Sequence, residues 1–275
     1  MPSQKIVVIT GAGSGMGKAS AQFLAQQGFL VYAGTRNPDK LLSIKNKNLI
    51  PIQLDITQET SIQKAISTII KKHSKIDILI NNAGYGLVST VENMDEQEMF
   101  NQFNINVFAV LRMCKAVIPN MREHNSGIII NISSFLGKVG LPLLTLYNSS
   151  KYAVEGITDS LRYELYEFNI RVHSIMPGFF DTNFARDNLV TNLETFDKTS
   201  PYSALVNNLA PKIVEQINNG NDAKEVAPII AEIINNDNAP ARITVGDKAK
   251  KFIPMKKELS DEDFERRVRE YYNIG

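Results

Sequence analysis

Short apolar runs alternate with longer helical patterns along almost the whole chain, and this alternation limits the possible folds more than any other feature. A β-branched run such as Lys5–Thr10 is typical of a strand that is buried on both faces of a sheet. When strands alternate with helix-length segments, right-handed crossovers join them into one parallel sheet with helices on both faces. The sequence therefore predicts a doubly wound α/β fold. Its strands are predicted at Lys5–Thr10, Leu30–Gly34, Leu49–Leu54, Ile76–Asn81, Gly127–Ile132, Ile170–Ile175 and Ala241–Val245.

The chain has 275 residues and no internal repeat, low-complexity tract or Pro/Ser-rich linker, so we predict a single domain over residues 1–275. Long helices are predicted at Glu96–Glu123 and Leu146–Phe168. The alternation breaks over residues 179–220, which are rich in Phe and Leu and predict a small helical substrate lobe. This lobe is either a hydrophobic pocket or lid, or a segment that only packs onto the sheet.

A helical extension is predicted at the C-terminal end of the chain, over about residues 248–275. Ser260 is placed to cap the start of its last helix. Phe264, Val268 and Tyr271 would give this helix an apolar stripe. Docking onto the core explains the stripe best, and a contact between subunits is the alternative.

The overall composition excludes several classes of partner. The net charge of +1 gives no field of one sign, so we expect neither nucleic acid nor a membrane surface as a partner. No run of 18 apolar residues is present, which argues against a membrane span. The N-terminal residues lead into a strand without a signal-peptide core, and the single cysteine, Cys114, cannot form an internal disulfide, so we expect a cytoplasmic protein. The three histidines lie apart in sequence, and no metal site is expected.

A glycine-rich segment, TGAGSGMG at Thr10–Gly17, joins the first predicted strand to the first helix. Glycine permits positive φ and lets backbone N–H groups approach a pyrophosphate at a helix N-terminus. The spacing of Gly11, Gly15 and Gly17 differs from the G-x-G-x-x-G pattern of many dinucleotide folds, and a tight turn without a ligand is the alternative. Its position at the first strand–helix junction favours a dinucleotide site on a Rossmann-type fold.

Arg36 follows the second predicted strand, and no acidic residue occurs until Asp39. Enzymes that use NAD usually carry Asp or Glu near this place to bind the ribose 2′-hydroxyl. A guanidinium can instead pair with a 2′-phosphate through two hydrogen bonds. Arg36 therefore favours NADP(H) over NAD(H), and a solvated arginine beside a helix start is the alternative.

Tyr147 and Lys151 are four residues apart on a predicted helix and therefore share one face. A free tyrosine has a pKa of about 10, and a neighbouring ammonium lowers that pKa by stabilising the phenolate. The pair could give a proton to a carbonyl oxygen as hydride arrives, or remove one in the reverse direction. Ser133 and Ser134 end the preceding strand, where a hydroxyl could hydrogen-bond the substrate oxygen, with turn formation as the alternative.

These features, with others, resemble the short-chain dehydrogenase/reductase family over about residues 4–182. Five family motifs occur in the family's order, so chance is a poor explanation. The matching residues are Thr10, Gly11, Gly15 and Gly17 for TGxxxGxG, Asp55 for the acid after the third strand, Asn81, Asn82, Ala83 and Gly84 for NNAG, Tyr147 and Lys151 for YxxxK, and Pro177, Gly178 and Thr182 for PG…T. The resemblance implies an NADP(H)-dependent oxidoreductase that acts on CH–OH groups.

The resemblance also implies roles for the catalytic residues. Tyr147 would be the general acid/base, and Lys151 would lower its pKa and hold the nicotinamide ribose. Of the two adjacent serines, the family's spacing to the tyrosine selects Ser134 and not Ser133. Asn106 matches the helix asparagine that anchors a water in the proton relay, and a backbone kink is its alternative explanation.

The same resemblance implies a set of cofactor-binding residues. Asp55 would accept a hydrogen bond from the adenine amino group, unless it only caps a turn, and Thr182 would bind the carboxamide side of the nicotinamide. Arg36 occupies the cofactor-selecting position, as in members that use NADP(H). The implied set is Gly11, Gly15, Met16, Gly17, Arg36, Asp55, Asn82, Ala83, Gly84, Tyr147, Lys151, Pro177, Gly178 and Thr182.

We therefore expect an enzyme that moves a hydride between NADP(H) and a small, mainly apolar ketone, aldehyde or secondary alcohol. A regulator that binds NADP(H) without turnover is the alternative, although such proteins often lose the tyrosine or lysine that this chain keeps. A sugar-nucleotide epimerase fits less well, because those relatives show different glycine spacing and a longer C-terminal domain. Family members commonly assemble through helices that match the two long ones predicted here, so the resemblance also implies a homodimer or homotetramer.

Overall fold

The computed structural model describes residues 4–181 and 188–274 of the chain. Seven of the strands in this part form one parallel sheet, and four shorter strands pair outside it. In chain order the strands are β1 (Ile6–Thr10), β2 (Leu30–Thr35), β3 (Leu49–Gln53), β4 (Ile78–Asn81), β5 (Gly86–Val88), β6 (Gly127–Ile132), β7 (Ile170–Pro177), β8 (Phe180–Asp181), β9 (Leu189–Thr191), β10 (Asn221–Asp222) and β11 (Arg242–Val245). The order across the sheet is β11-β7-β6-β4-β1-β2-β3. The chain therefore builds outward from β1 in both directions, and a crevice opens between β1 and β4, where ligands bind in open α/β sheets.

Helices cover both faces of this sheet. The α-helices of the described residues are α1 (Gly15–Gln26), α2 (Glu59–His73), α3 (Glu96–Phe103), α4 (Ala109–Glu123), α5 (Thr145–Glu164), α6 (Ser203–Asn218), α7 (Val226–Asn235), α8 (Asp247–Glu258) and α9 (Asp261–Tyr272). α1 and α7 pack on one face, and α2, α4 and α5 pack on the other. The predicted doubly wound α/β fold is confirmed.

The two covered faces explain why the strands are apolar at successive positions. In β1, Val7 and Ile9 point into the core on one side of the sheet, and Ile6 and Val8 point into the core on the other. A sheet with one wet face would instead alternate apolar and polar residues. The strands observed in the main sheet match the predicted ones, with differences of one or two residues at several ends.

The predicted helix Glu96–Glu123 is not continuous. α3 ends at Phe103, a π-helical turn occupies Asn104–Phe108, and α4 begins at Ala109. Within the wider turn lies Asn106, which is 1% exposed. Its amide bonds both backbone groups of Tyr85, accepting from N at 3.0 Å and donating to O at 2.9 Å. Sequence periodicity did not predict this turn because the apolar pattern continues through it. The cause of the turn is the buried polar side chain of Asn106.

The segment predicted as a helical substrate lobe contains α6 and short strands as well. β8 pairs with β10, and β9 pairs with β5. Two- and three-residue strands carry too little of an alternating pattern to be predicted. α6 packs against the C-terminal helices, and its Leu209 is fully buried. Leu193, which precedes α6, is 86% exposed. For α6 the packing alternative is therefore the better explanation.

The C-terminal helices pack in one apolar cluster with α6 and with the turn after β6. Ser260 caps α9 by accepting a hydrogen bond from the Asp263 N–H. The apolar stripe is Phe264, Val268 and Tyr272, because residues four apart lie on one helix face. The prediction of Tyr271 in the stripe was wrong, since Tyr271 is 36% exposed.

Two findings concern a membrane-spanning helix and a metal site, which the sequence analysis argued against. No helix within residues 4–181 and 188–274 combines the length and the apolar character that crossing a bilayer requires. In the same ranges, no three His, Cys, Asp or Glu side chains come together in a way that could hold a metal ion.

Candidate active site

A cleft of about 1020 Å³ opens at the carboxyl ends of the central strands. Its lining comes from the turn after β1, the ends of β2 and β3, the segment after β4, the end of β6 and helix α5, which carries Tyr147 and Lys151. Because these strand ends flank the crevice between β1 and β4, the cleft lies where this fold binds ligands. Most of the residues predicted from the motifs lie along it.

The glycine turn forms one end of the cleft. Gly11 and Gly15 have φ of 67° and 51°, which side-chain-bearing residues rarely adopt. A Cβ on Gly17 would lie 2.4 Å from both the Asn82 side-chain nitrogen and the Gly11 carbonyl oxygen. The Ser14 side chain makes no capping hydrogen bond to α1. The first N–H groups of this helix therefore depend on another acceptor, and they adjoin the cleft.

The segment after β4 is bound to the glycine turn. The Thr10 hydroxyl accepts hydrogen bonds from the Asn82 and Ala83 N–H groups, at 3.0 and 3.1 Å. The Asn82 amide donates to the Thr10 carbonyl at 3.0 Å. A Cβ on Gly84 would lie 3.2 Å from the Asn106 Oδ1. The NNAG motif thus joins the turn at one end of the cleft to the helix asparagine at the other.

Two cationic side chains line the cleft after the end of β2. They are Arg36, which the sequence singled out, and Lys40. Lys40 belongs to a single 3₁₀ turn, Pro38–Leu41, which returns the chain toward the end of β2. Sequence reasoning missed Lys40, although its position one turn after Arg36 was a usable signal.

Asp55 occupies the cleft and also stabilises its own turn. Its Oδ1 accepts hydrogen bonds from the Thr57 N–H at 2.9 Å and the Thr57 hydroxyl at 2.7 Å. Its position is thus compatible with both interpretations given by the sequence, binding of the adenine amino group and capping of a turn. Met16 lines the cleft beside the glycines, as expected for the predicted set.

Tyr147, Lys151 and Ser134 come together at the end of β6. The Lys151 ammonium donates to the Ile132 carbonyl at 2.9 Å and lies 5.7 Å from the centre of the Tyr147 ring. The Tyr147 phenol and the Ser134 side chain are joined by a hydrogen bond. Ser133 lines the cleft, and its hydroxyl is buried with no hydrogen-bond partner in the described ranges. Of the two serines, Ser134 is the one that hydrogen-bonds the phenol.

Burial controls the ionisation of this pair. It raises the pKa of Tyr147 to about 12, and the hydrogen bond with Ser134 acts in the opposite direction. Burial lowers the pKa of Lys151 to about 8, and the charge of Glu155 acts against that change. The expectation that the Tyr147 pKa is lowered was therefore wrong, because loss of solvation raises it. Tyr147 is a protonated phenol at neutral pH.

Asn106 is connected to Tyr147 through one hydroxyl. Its amide donates to the Ser150 Oγ at 3.0 Å, and Ser150 donates to the Tyr147 carbonyl at 2.7 Å. Gly84, Asn106 and Lys151 also surround one point, since a Cβ on Gly84 would lie 3.7 Å from the lysine nitrogen. The π-helical turn that contains Asn106 and the close approach of Gly84 to Lys151 therefore occur at the same place.

Of the predicted site residues, Ser134 and Asn106 contact residues at the cleft but are not among those that line it, and for three others the structure gives no place there. Pro177 and Gly178 follow β7, and the Gly178 N–H donates to the Val245 carbonyl at 2.8 Å. Neither is among the described residues that line the cleft. Thr182 lies outside the described residues. The roles predicted for these three residues stay predictions.

The wall beyond Tyr147 mixes polar and apolar side chains, and the motifs did not indicate it. It consists of Tyr85, Leu87, Glu98, Asn101, Ile105, Asn188 and Val190. Glu98 is held in place by the Asp95 N–H at 3.1 Å and the Asn192 amide at 2.9 Å. The sequence analysis did not single out Glu98, so its position beside the cleft was missed.

Known proteins are similar to this chain both in sequence and in structure. A family model described as short chain dehydrogenase matches residues 5–192. A 3-ketodihydrosphingosine reductase from Bacteroides thetaiotaomicron is 36% identical over 272 residues, which cover 98% of each chain. A short-chain dehydrogenase crystal structure from Streptomyces avermitilis superposes with a TM-score of 0.84 at 27% identity, over 100% of this chain and 98% of that one. Another, from Burkholderia cenocepacia in complex with NADP, has a TM-score of 0.76 at 25% identity and covers 97% and 98%.

Proposed function

The chain belongs to the short-chain dehydrogenase/reductase family and is an oxidoreductase, and on this premise we propose that it transfers a hydride between NADP(H) and the carbonyl carbon of a ketone. The observation that carries the proposal is that Ser134 hydrogen-bonds Tyr147, which together with Lys151 lines a cleft that begins at a glycine turn. Hydride transfer needs both a dinucleotide cradle and a proton donor, and the cleft offers candidates for both.

The residues of the cleft fit a nicotinamide dinucleotide. The side-chain-free surface at Gly17 and the uncapped start of α1 suit a pyrophosphate, which backbone N–H groups can approach. Arg36 and Lys40 would bind the adenosine 2′-phosphate, and Asp55 would bind the adenine. Lys151 would hold the nicotinamide ribose. When bound, the nicotinamide supplies the hydride in reduction or accepts it in oxidation.

The chain's own residues handle the proton. In reduction, Tyr147 donates its phenolic proton to the substrate oxygen, and the phenolate then regains a proton from solvent through the groups around Asn106. Ser134 hydrogen-bonds the same oxygen while negative charge develops on it. The Lys151 ammonium stabilises the phenolate that Tyr147 leaves behind. Burial raises the pKa of Tyr147 to about 12, so the phenol carries the proton that reduction requires.

The substrate proposed is a ketone with an extended apolar part. The relative from Bacteroides thetaiotaomicron bears the name of a ketone reductase, and its similarity spans nearly the whole chain. Leu87, Ile105 and Val190 give the cleft an apolar side next to polar groups. The test is to follow NADPH absorbance with 3-ketodihydrosphingosine and with ketones and aldehydes of increasing length. NADPH consumption that requires a ketone would support the proposal, and none with any carbonyl compound would contradict it.

Cofactor preference gives a separate prediction. Arg36→Asp is expected to lower kcat/KM for NADPH by about 10–100-fold, because a carboxylate would replace a charged hydrogen-bond partner of the 2′-phosphate. The same variant should use NADH relatively better, and Lys40→Ala should show a smaller loss with NADPH. The measurement is kcat/KM for both cofactors.

Lys64→Asp provides the matched control for this prediction, because Lys64 is exposed on α2 and does not line the cleft. Lys64→Asp makes the same change in net charge and should leave kcat/KM nearly unchanged for both NADPH and NADH. Equal losses in the Arg36 and Lys64 variants would mean that only the overall charge matters. A wild type that prefers NADH would refute the cofactor assignment.

A further inference from the structure

A buried carboxylate lies one helical turn beyond Lys151. Glu155 is four residues later on α5, and its side chain is 3% exposed. Its Oε2 accepts from the Arg242 Nε at 2.6 Å and lies 3.6 Å from the Lys138 Nζ. Its Oε1 accepts from the Ser174 hydroxyl. A carboxylate this deeply buried is tolerated only where cations and hydrogen bonds compensate it, and all of these are present.

These partners come from three separate parts of the fold around α5. Lys138 follows the turn that begins at Ser134, Ser174 belongs to β7, and Arg242 begins β11. The turn and the helix approach very closely, since a Cβ on Gly137 would lie 3.1 Å from the Glu155 Cγ and 3.0 Å from the Lys151 carbonyl oxygen. Glu155 therefore links the catalytic helix to the turn that carries Ser134.

We infer that Glu155 is a positioning residue that keeps Lys151 in its ammonium form and holds α5 against the Ser134 turn. This inference rests on the proposed function of Tyr147 and Lys151. Glu155 is not itself among the residues that line the cleft within the described ranges. It acts through Lys151, with which it shares a helix face.

The charges around Lys151 support this role. On its own helix it faces Tyr147 and Glu155, and through Glu155 it adjoins Lys138 on the Ser134 turn and Arg242 on β11. Glu155 acts against the effect of burial on the pKa of Lys151. If the carboxylate is removed, the effect of burial on the ammonium is no longer opposed. The phenolate left by Tyr147 would then lose its counter-charge at a lower pH.

The test is to titrate Lys151 directly in the full chain. Lysine labelled with ¹³C at Cε reports its own protonation by NMR, and the signal absent from Lys151→Arg identifies Lys151. In Glu155→Gln we expect the titration midpoint to fall by about one pH unit. The high-pH limb of kcat/KM for ketone reduction should move to lower pH by the same amount.

Asp159→Asn is the matched control. Asp159 binds the same Arg242, at 2.5 Å, but its side chain is 48% exposed. Its removal takes one partner from the guanidinium and should leave the Lys151 titration unchanged. If Glu155→Gln does not fold, the double variant Glu155→Gln/Arg242→Gln removes the carboxylate together with its closest cation and should show the same lowered midpoint.

The outcomes separate this inference from the proposed function. An unchanged Lys151 titration in the folded variant would overturn the inference, even if Glu155→Gln lowers the melting temperature. The same midpoint change in Asp159→Asn would also overturn it, because the effect would then come through Arg242. If no ketone is reduced by the wild type, the proposed function fails, while the NMR titration still decides the role of Glu155.

Discussion

Tyr147→Phe is expected to lower kcat/KM for ketone reduction by about 10²–10⁴-fold or more, the contribution usual for a general acid. The variant removes only the hydroxyl that would donate to the substrate oxygen. The glycine turn, Arg36 and Lys40 stay in place, so the dissociation constant for NADPH should change little. The two measurements are steady-state kinetics with a ketone substrate and NADPH binding by fluorescence.

Tyr152→Phe is the matched control for this experiment. Tyr152 is on the same helix, but its side chain is 45% exposed and does not line the cleft. The same loss of a hydroxyl there should leave both constants nearly unchanged. Substantial activity remaining in Tyr147→Phe would show that another group donates the proton.

Gly17→Ala is expected to weaken NADPH binding about tenfold or more. The added Cβ would lie 2.4 Å from the Gly11 carbonyl oxygen and from the Asn82 side chain, so the turn or the NNAG segment must move. Overpacking of this kind costs about 1–3 kcal/mol, and here the displaced atoms belong to the proposed cradle. Titration calorimetry with NADPH measures the loss, and circular dichroism checks that the variant is folded.

Gly156→Ala tests whether a helix glycine in general behaves this way. Gly156 lies within α5, and a Cβ there meets no atom within 4 Å. This variant should gain about 0.5–1 kcal/mol of stability from the lower backbone entropy of its unfolded state, with unchanged NADPH affinity. Unchanged affinity in a folded Gly17→Ala variant would contradict the placement of the pyrophosphate.

The sequence predicted the fold well because one physical signal governs it. The strand Gly127–Ile132 is buried at every position and apolar at all of them except Asn131, since helices cover both faces of the sheet. The π-turn at Asn104–Phe108 could not be predicted from periodicity, because it depends on hydrogen bonds between Asn106 and Tyr85. The short pairing of β9 with β5 also depends on contacts between residues distant in sequence.

The candidate site was predictable where its residues fall in short motifs. The glycine turn, the NNAG segment and the Tyr147–Lys151 pair each place their side chains through local geometry. Glu155 and Arg242 are 87 residues apart, and no local pattern connects a helix glutamate to the first residue of a late strand. The ionisation of Tyr147 was also not predictable, because it depends on how deeply the folded chain buries the phenol.

The most direct test of the account is the transfer of deuterium from the cofactor to the product. The full chain is incubated with NADPH dideuterated at nicotinamide C4 and with each ketone of the panel, and the alcohols are examined by mass spectrometry. We predict that at least one ketone yields an alcohol with deuterium on its carbinol carbon, and that Tyr147→Phe forms little of it. If the wild type binds NADPH but no alcohol carries deuterium, the chain binds the cofactor without hydride transfer, and the account is contradicted.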